Sequence, residues 1–211
     1  MGWSCQRPTG RARERDEPVI VGWKKTRWPL LKKAAREGRA IVFIDESGLS
    51  QKPHRVRTWA PRGRAPVLEF AFNWKRLSAI AGVTFRNFYF RLFPGSIKGP
   101  QVILFLHHLM RLLPGRLLIV WDGVATDHCL LVQDFVAAQG GRRWVERLPA
   151  YAPELNPVQY LWGHWKQNEL PNLCARDLWH LSSHAAQALR MMRRRKATLI
   201  TAFWKQAELW P

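Results

Sequence analysis

Cysteine is scarce and unpatterned: Cys5, Cys129 and Cys174 are odd in number, far apart, and never in a CxxC pair. That excludes a zinc ribbon or a disulfide framework. Long apolar runs are also missing, since VILFL at 102–106 and LLIVW at 117–121 fall far short of the roughly 20 residues a membrane span requires. No membrane partner is expected. The amino terminus MGWSCQRPTGRARERDE has basic residues but no apolar stretch behind them, so it does not read as a secretory signal. Neither repeats nor low-complexity segments occur, and the chain reads as cytoplasmic. Acid is heavily outnumbered: 15 Asp and Glu face 34 Lys and Arg, leaving a net charge of +19. Such an excess favours a polyanion, first of all nucleic acid, because neutralising phosphates releases counterions. An Arg-rich proteome is the alternative source of the same charge.

What is present is enough for one folded domain. The 211 residues are 47% apolar and 23% charged, near globular averages and sufficient for a sizeable core. Residues 7–39 form a basic stretch in which Trp23, Trp28 and Leu31 are interleaved; it reads as a helical arm, broken or restarted near Pro29. AIVFIDE (40–46) reads as a buried strand ending in two carboxylates. VRTWA (56–60), APVLEF (65–70), RLSAIAGVTF (76–85) and NFYFRLF (87–93) follow between Pro and Gly punctuation and suggest an antiparallel meander. PQVILFLHHLMRLL (100–113) has helical spacing, RLLIVWDG (116–123) is a second buried strand, DHCLLVQDFVAAQ (127–139) a helix and RRWVERL (142–148) a third strand. Helices over NPVQYLWGHWKQNEL, ARDLWHLSSHAAQALRMMRRR and ATLITAFWKQAEL close the chain. Strands first, then helix and strand in alternation, give an α/β fold: a mixed sheet flanked by helices.

Asp45 and Asp122 each stand at the carboxyl end of an apolar strand. An ionised group there is costly unless it sits at the rim or holds a cation. Either alone is an ordinary turn residue; two on adjacent strands can hold Mg²⁺, or Mn²⁺, and a two-metal site of this kind activates water against a phosphodiester.

The runs IVFIDESG (41–48), RTWAPRG (57–63), IVWDG (119–123) and LPAYAPELNPVQYLW (148–162) resemble the catalytic domain of bacterial insertion-sequence transposases of the mariner-like DDE superfamily. The resemblance spans about residues 24–210. It implies an RNase H-like fold over 40–211, with 1–39 as the remnant of a link to a helix-turn-helix region. It implies metal-dependent hydrolysis and strand transfer on DNA, a bacterial, nucleoid-associated location, and Asp45 and Asp122 as the first two acids of a triad. Where that family carries its third acid, this chain has Gln159. An amide offers a carbonyl oxygen without charge, so the two-metal site is expected to be incomplete and activity impaired. Asn156, Pro157 and Gln159 also fit a helix N-cap, first-turn proline and capping-box partner, and that structural reading stands beside a vestigial ligand role.

Other residues carry smaller expectations. Glu154 is a conceivable substitute acid in a Pro-bounded loop, and Glu46 should point away from Asp45. Asp127 reads as an N-cap, His128 as a helix-start imidazole or a group orienting a phosphate or Asp122, and His107 and His108 as packing or surface residues. Trp162 and Trp165 should anchor their helix to the sheet, with base stacking as the rival reading. Arg193, Arg194, Arg195 and Lys196 are candidate phosphate contacts, with a solvated helix end as the rival reading. GWSCQRP resembles the tail of the family's helix-turn-helix region, so a chain without its reader, from a truncated or split gene, is expected. The rival functional class is a non-catalytic DNA-binding or dimerising module acting through a homo-oligomer or an intact transposase.

Overall fold

The computed structural model describes residues 12–70, 75–122, 126–141 and 143–209. Helix α1 (Glu17–Arg36) starts where the Asp16 side chain accepts the Val19 N–H at 3.0 Å, with Pro18 in its first turn. Pro29 does not break it, contrary to the sequence expectation. The carbonyl deprived of a partner belongs to solvent-facing Lys25, while Trp23, Trp28 and Leu31 are buried on the opposite side. Packing there offsets the missing hydrogen bond. Trp28 stacks between Trp23 and Trp204 and meets Phe43 edge-on, so the helix of the basic stretch shares its core with the sheet.

Five strands follow in the spatial order β3-β2-β1-β4-β5. The central β1 (Arg39–Ser50) pairs antiparallel with β2 (Arg76–Val83), and β2 with β3 (Phe88–Pro94). On its other side β1 runs parallel to β4 (Arg116–Trp121), and β4 to β5 (Arg143–Arg147). Alternation divides β1 and β4 between two layers. Ile41, Phe43, Leu118 and Val120 face the core shared with α1, α4 (Pro157–His164), α5 (Leu178–Arg194) and α6 (Lys196–Gln206). Val42, Ile44, Leu117 and Ile119 face the core shared with α2 (Gly99–Leu112) and α3 (Thr126–Ala137). The expected α/β architecture is therefore present.

Two differences from the sequence expectation matter. VRTWA and APVLEF are not strands: 55–70 is irregular, with a turn closed by Arg64 N–H to Pro61 O at 3.0 Å and Trp59 wholly exposed. β-propensity needs a partner strand and a face to bury, and Arg55, Arg57, Arg62 and Arg64, interspersed with Pro53, Pro61 and Pro66, offer neither. β1 also runs four residues beyond the expected end at Glu46, because β2 pairs with it as far as Ser50↔Arg76. Asp45 is thus an interior residue of β1, placed at a strand end only on the β4 side.

Candidate active site

The last β1/β4 pair is Ile44↔Trp121, so Asp45 and Asp122 occupy the next register step, where β4 stops and β1 continues against β2 alone. Asp45 projects into the layer of α4 and is only 4% exposed; Asp122 lies on the open rim. Helix α4 is fixed against this spot by Asn156, whose Oδ1 caps Val158 N–H at 3.1 Å while its Nδ2 donates to Ile44 O at 3.2 Å. A single buried side chain thus starts the helix and ties it to the strand residue preceding Asp45.

From that anchor, Gln159 Nε2 and Trp162 Nε1 both donate to Asp45 Oδ2 at 2.8 Å. The expected N-cap and first-turn proline are present, but the capping box is not: Gln159 turns its amide to Asp45, and the cap bond goes to Val158. The Asn156 N–H that a capping box would use already donates to Pro153 O at 3.0 Å, which leaves the Gln159 amide to donate to the buried Asp45 carboxyl. Trp162 and Trp165 are buried, with Trp165 Nε1 donating to Ala185 O at 3.3 Å. They anchor the helix and leave no face for a base.

Burial, followed by the charges of Asp122 and Glu46, pushes the Asp45 carboxyl up to about 8, against the restraining bond from Trp162. Glu46 points to the α2 side, as alternation requires, and burial and Asp122 push it to about 7. The Trp121 indole opposes that rise, although neither Glu46 Oε2 nor Trp121 Nε1 has a geometrically sound hydrogen-bond partner. Asp122 is raised by desolvation of its inner side. Lys166, seven residues beyond Gln159, is lowered by burial and partly sustained by Asp45.

The donor set decides what cation it suits. Asp45 Oδ1 and the Asp122 carboxylate are hard oxygen ligands whose mutual repulsion a divalent cation would relieve, so they fit one such ion. The third corner presents an amide N–H, which does not fit a second. Among the described residues no group of three or more His, Cys, Asp or Glu is placed to hold a metal. Glu154 does not substitute: both its oxygens are bound by Arg15, at 2.5 and 2.9 Å, and that pair holds its carboxyl below the usual range.

The candidate phosphate contacts diverge. Arg195 pairs with Glu169, Arg193 lies over the Phe90 ring at 5.8 Å, and Lys196 lines a cavity with Phe85 at the opposite end of the sheet from Asp45. Arg194 remains exposed at the end of α5. His107 stacks on Phe135. The Asp127 and His128 side chains lie outside the described residues. The sequence reasoning missed Lys166 and the Trp162 indole bond; Gln159, Trp162 and Lys166 at helical spacing were the available signal.

With this geometry established, comparison defines the class. The family model for the DDE superfamily endonucleases matches residues 40–200, and the chain belongs to that family. No curated protein matches. Among solved structures, the Mos1 mariner paired-end complex with Mn superposes with a TM-score of 0.71 at 18% identity, covering 99% of this chain and 66% of that one. The paired-end complex with Mg gives 0.70 at 18% identity with the same coverage. The Mos1 strand transfer complex gives 0.62 at 17% identity, covering 96% and 67%. The fold is RNase H-like, and the chain spans just under two thirds of the first of those chains.

Proposed function

We propose that this chain is the catalytic domain of a DNA transposase in impaired form, acting on phosphodiesters of DNA in the bacterial cytoplasm. One observation carries the reading: two strand-end aspartates at one register step, with α4 directing the third family position onto the first of them. When bound, a divalent cation held by Asp45 and Asp122 supplies a Lewis acid for activating water. The chain's own residues orient that pair. Trp162 fixes the Asp45 rotamer, Asn156 holds α4 to β1, and Lys166 brings positive charge toward the carboxylates. The impairment rests on Gln159, whose N–H satisfies Asp45 without a cation. That same bond favours a second reading, a DNA-binding or dimerising module that acts with another copy or an intact transposase.

Duplex binding should be weakly sequence-selective and fall steeply with salt, as Lys and Arg contacts to phosphate require. Fluorescence anisotropy across 50–200 mM salt checks this, on the order of the range where such contacts are lost. Cleavage of the same duplex with Mg²⁺ or Mn²⁺ should be slight. Salt-insensitive binding would remove the nucleic-acid reading, and robust cleavage would remove the impairment. Within the basic cluster, Arg194→Glu should weaken all duplexes alike, while Arg193→Glu should also lower the melting temperature because its cation–π contact is lost. Unchanged affinity in both variants would return the cluster to an ordinary solvated helix end.

A further inference from the structure

Beyond Asp45, β1 continues to Ser50, and Leu49 lies on the same sheet face four residues further, about 13 Å along the strand. Over this extension lies a cavity of about 210 Å³. Its floor includes Leu49, Leu170 and Leu173, and its polar lining includes Lys52, His54 and Lys166. Among the described residues, no acid forms an ion pair with any of those three. Lys52, His54 and Lys166 thus line, together with leucines, one recess on the Asp45 face of β1.

The recess is fixed from both sides. The chain leaving β1 is tied to the segment before α5 by buried Gln51, whose Nε2 donates to Ala175 O at 3.2 Å. Asn172, held at φ 56°, completes the tie. Its backbone N–H donates to His54 O at 2.9 Å, its Nδ2 donates to Val56 O at 3.0 Å, and its Oδ1 accepts Val56 N–H at 2.9 Å. On the other side, Lys166 stands on a π-helical turn, Trp165–Glu169, closed by Leu170 N–H to Trp165 O at 3.0 Å. Such wider turns re-aim side chains and often mark functional sites.

We propose that this cavity is a subsite for a backbone phosphate of the DNA strand leading into the Asp45–Asp122 site, gripped by Lys52 and Lys166 with His54 as a third donor. The proposal rests on the transposase reading above. Two ammonium groups beside low-dielectric walls attract a phosphate more strongly than charges on an open face. Their place on the Asp45 face allows one strand to span both sites, and the Gln51 and Asn172 hydrogen bonds join the segments that flank the cavity.

The test compares the wild-type chain with Lys166→Met, Lys52→Met and Lys166→Arg, using a fluorescent duplex titrated at several salt concentrations. Arg111→Met serves as control, removing the same charge from α2 on the other sheet face. Each Met substitution in the cavity should reduce the slope of log affinity against log salt by about one and weaken binding several-fold at low salt. Lys166→Arg should keep the slope, and Arg111→Met should change it little. Melting temperatures confirm that the variants fold. Cavity variants indistinguishable from Arg111→Met, with wild-type binding intact, would overturn the subsite alone. Failure of the wild type to bind duplex would reject the transposase reading together with it. A calorimetric arm with inorganic phosphate separates sources: tight phosphate binding lost in Lys166→Met, with unchanged DNA slopes, would assign the cavity to a free phosphoester and overturn the proposal.

Discussion

Asp45→Asn should raise the melting temperature of the metal-free protein at pH 8.5 by about 4–8 °C, while changing it little near pH 4. The folded chain holds the Asp45 proton up to about pH 8, whereas the unfolded chain releases it near the ordinary value of about 4. Below that value both states are protonated and the group contributes nothing to the pH dependence. As pH rises through the window, the folded state binds more protons than the unfolded one, so stability falls until the folded group also ionises. A rise of this size corresponds to at most about 5 kcal/mol, and about 2 kcal/mol suffices for the expected melting shift in a domain of this length. Asparagine keeps an oxygen for the Gln159 and Trp162 donors while removing the buried charge. The variant should retain a shallower slope, because Glu46, raised to about 7, titrates in the same direction. Thermal melts of both proteins from pH 4 to pH 9 check this. Equal slopes, or a variant less stable at pH 8.5, would show that Asp45 is ionised at little cost.

The same physics explains which parts of the site were legible in the sequence. Runs 41–44 and 117–121 are buried on both faces, so each reads as an uninterrupted apolar strand, and the aspartates after them stand out. Their adjacency followed from family resemblance; propensity does not choose which strand lies beside which. The extension of β1 through SGLS was hidden because it depends on β2, some thirty residues later, and polar residues carry no signal of their own for a half-covered strand. The opposite error at VRTWA has the same root, since β-branched and aromatic residues predict strands only where a neighbour exists. Asn156 as a helix cap was legible because capping is local. That Gln159 would be aimed at the aspartates followed from the family resemblance; that it would donate its N–H to Asp45 in place of closing a capping box was not legible, because the partner lies more than a hundred residues away in sequence. Lys166 was likewise obscured, as a lysine near a helix end ordinarily faces water.

Gln159→Glu should make the stability of this chain depend on a divalent cation. In the wild type the amide donates to Asp45 Oδ2 at 2.8 Å, so the site is satisfied without metal. At pH 8.5, above the Asp45 value of about 8, a glutamate there loses that bond, worth about 1.5–3 kcal/mol to a charged acceptor, and places a second negative charge against a carboxyl already raised by its neighbours. In the presence of a chelator the variant should therefore melt about 5 °C or more below the wild type, given the sensitivity of a domain this size. Mn²⁺ or Mg²⁺ then finds three carboxylates in place of two, and binding to the folded state alone restores about 2.7 kcal/mol at a concentration one hundredfold above Kd. The wild type should respond much less, and the double variant with Asp45→Asn should lose most of the response because one wall of the site is gone. Calorimetric cation titration of the three proteins gives the affinities independently of DNA cleavage, which also requires correct placement of the duplex. Equal cation affinity in wild type and Gln159→Glu would show that the amide does not disable the site. A variant as stable as the wild type in chelator would show that the Gln159–Asp45 bond does not compensate for the missing charge. If cation dependence appears as expected, one side chain accounts for a DDE fold whose first aspartate is held by hydrogen bonds in place of a second metal.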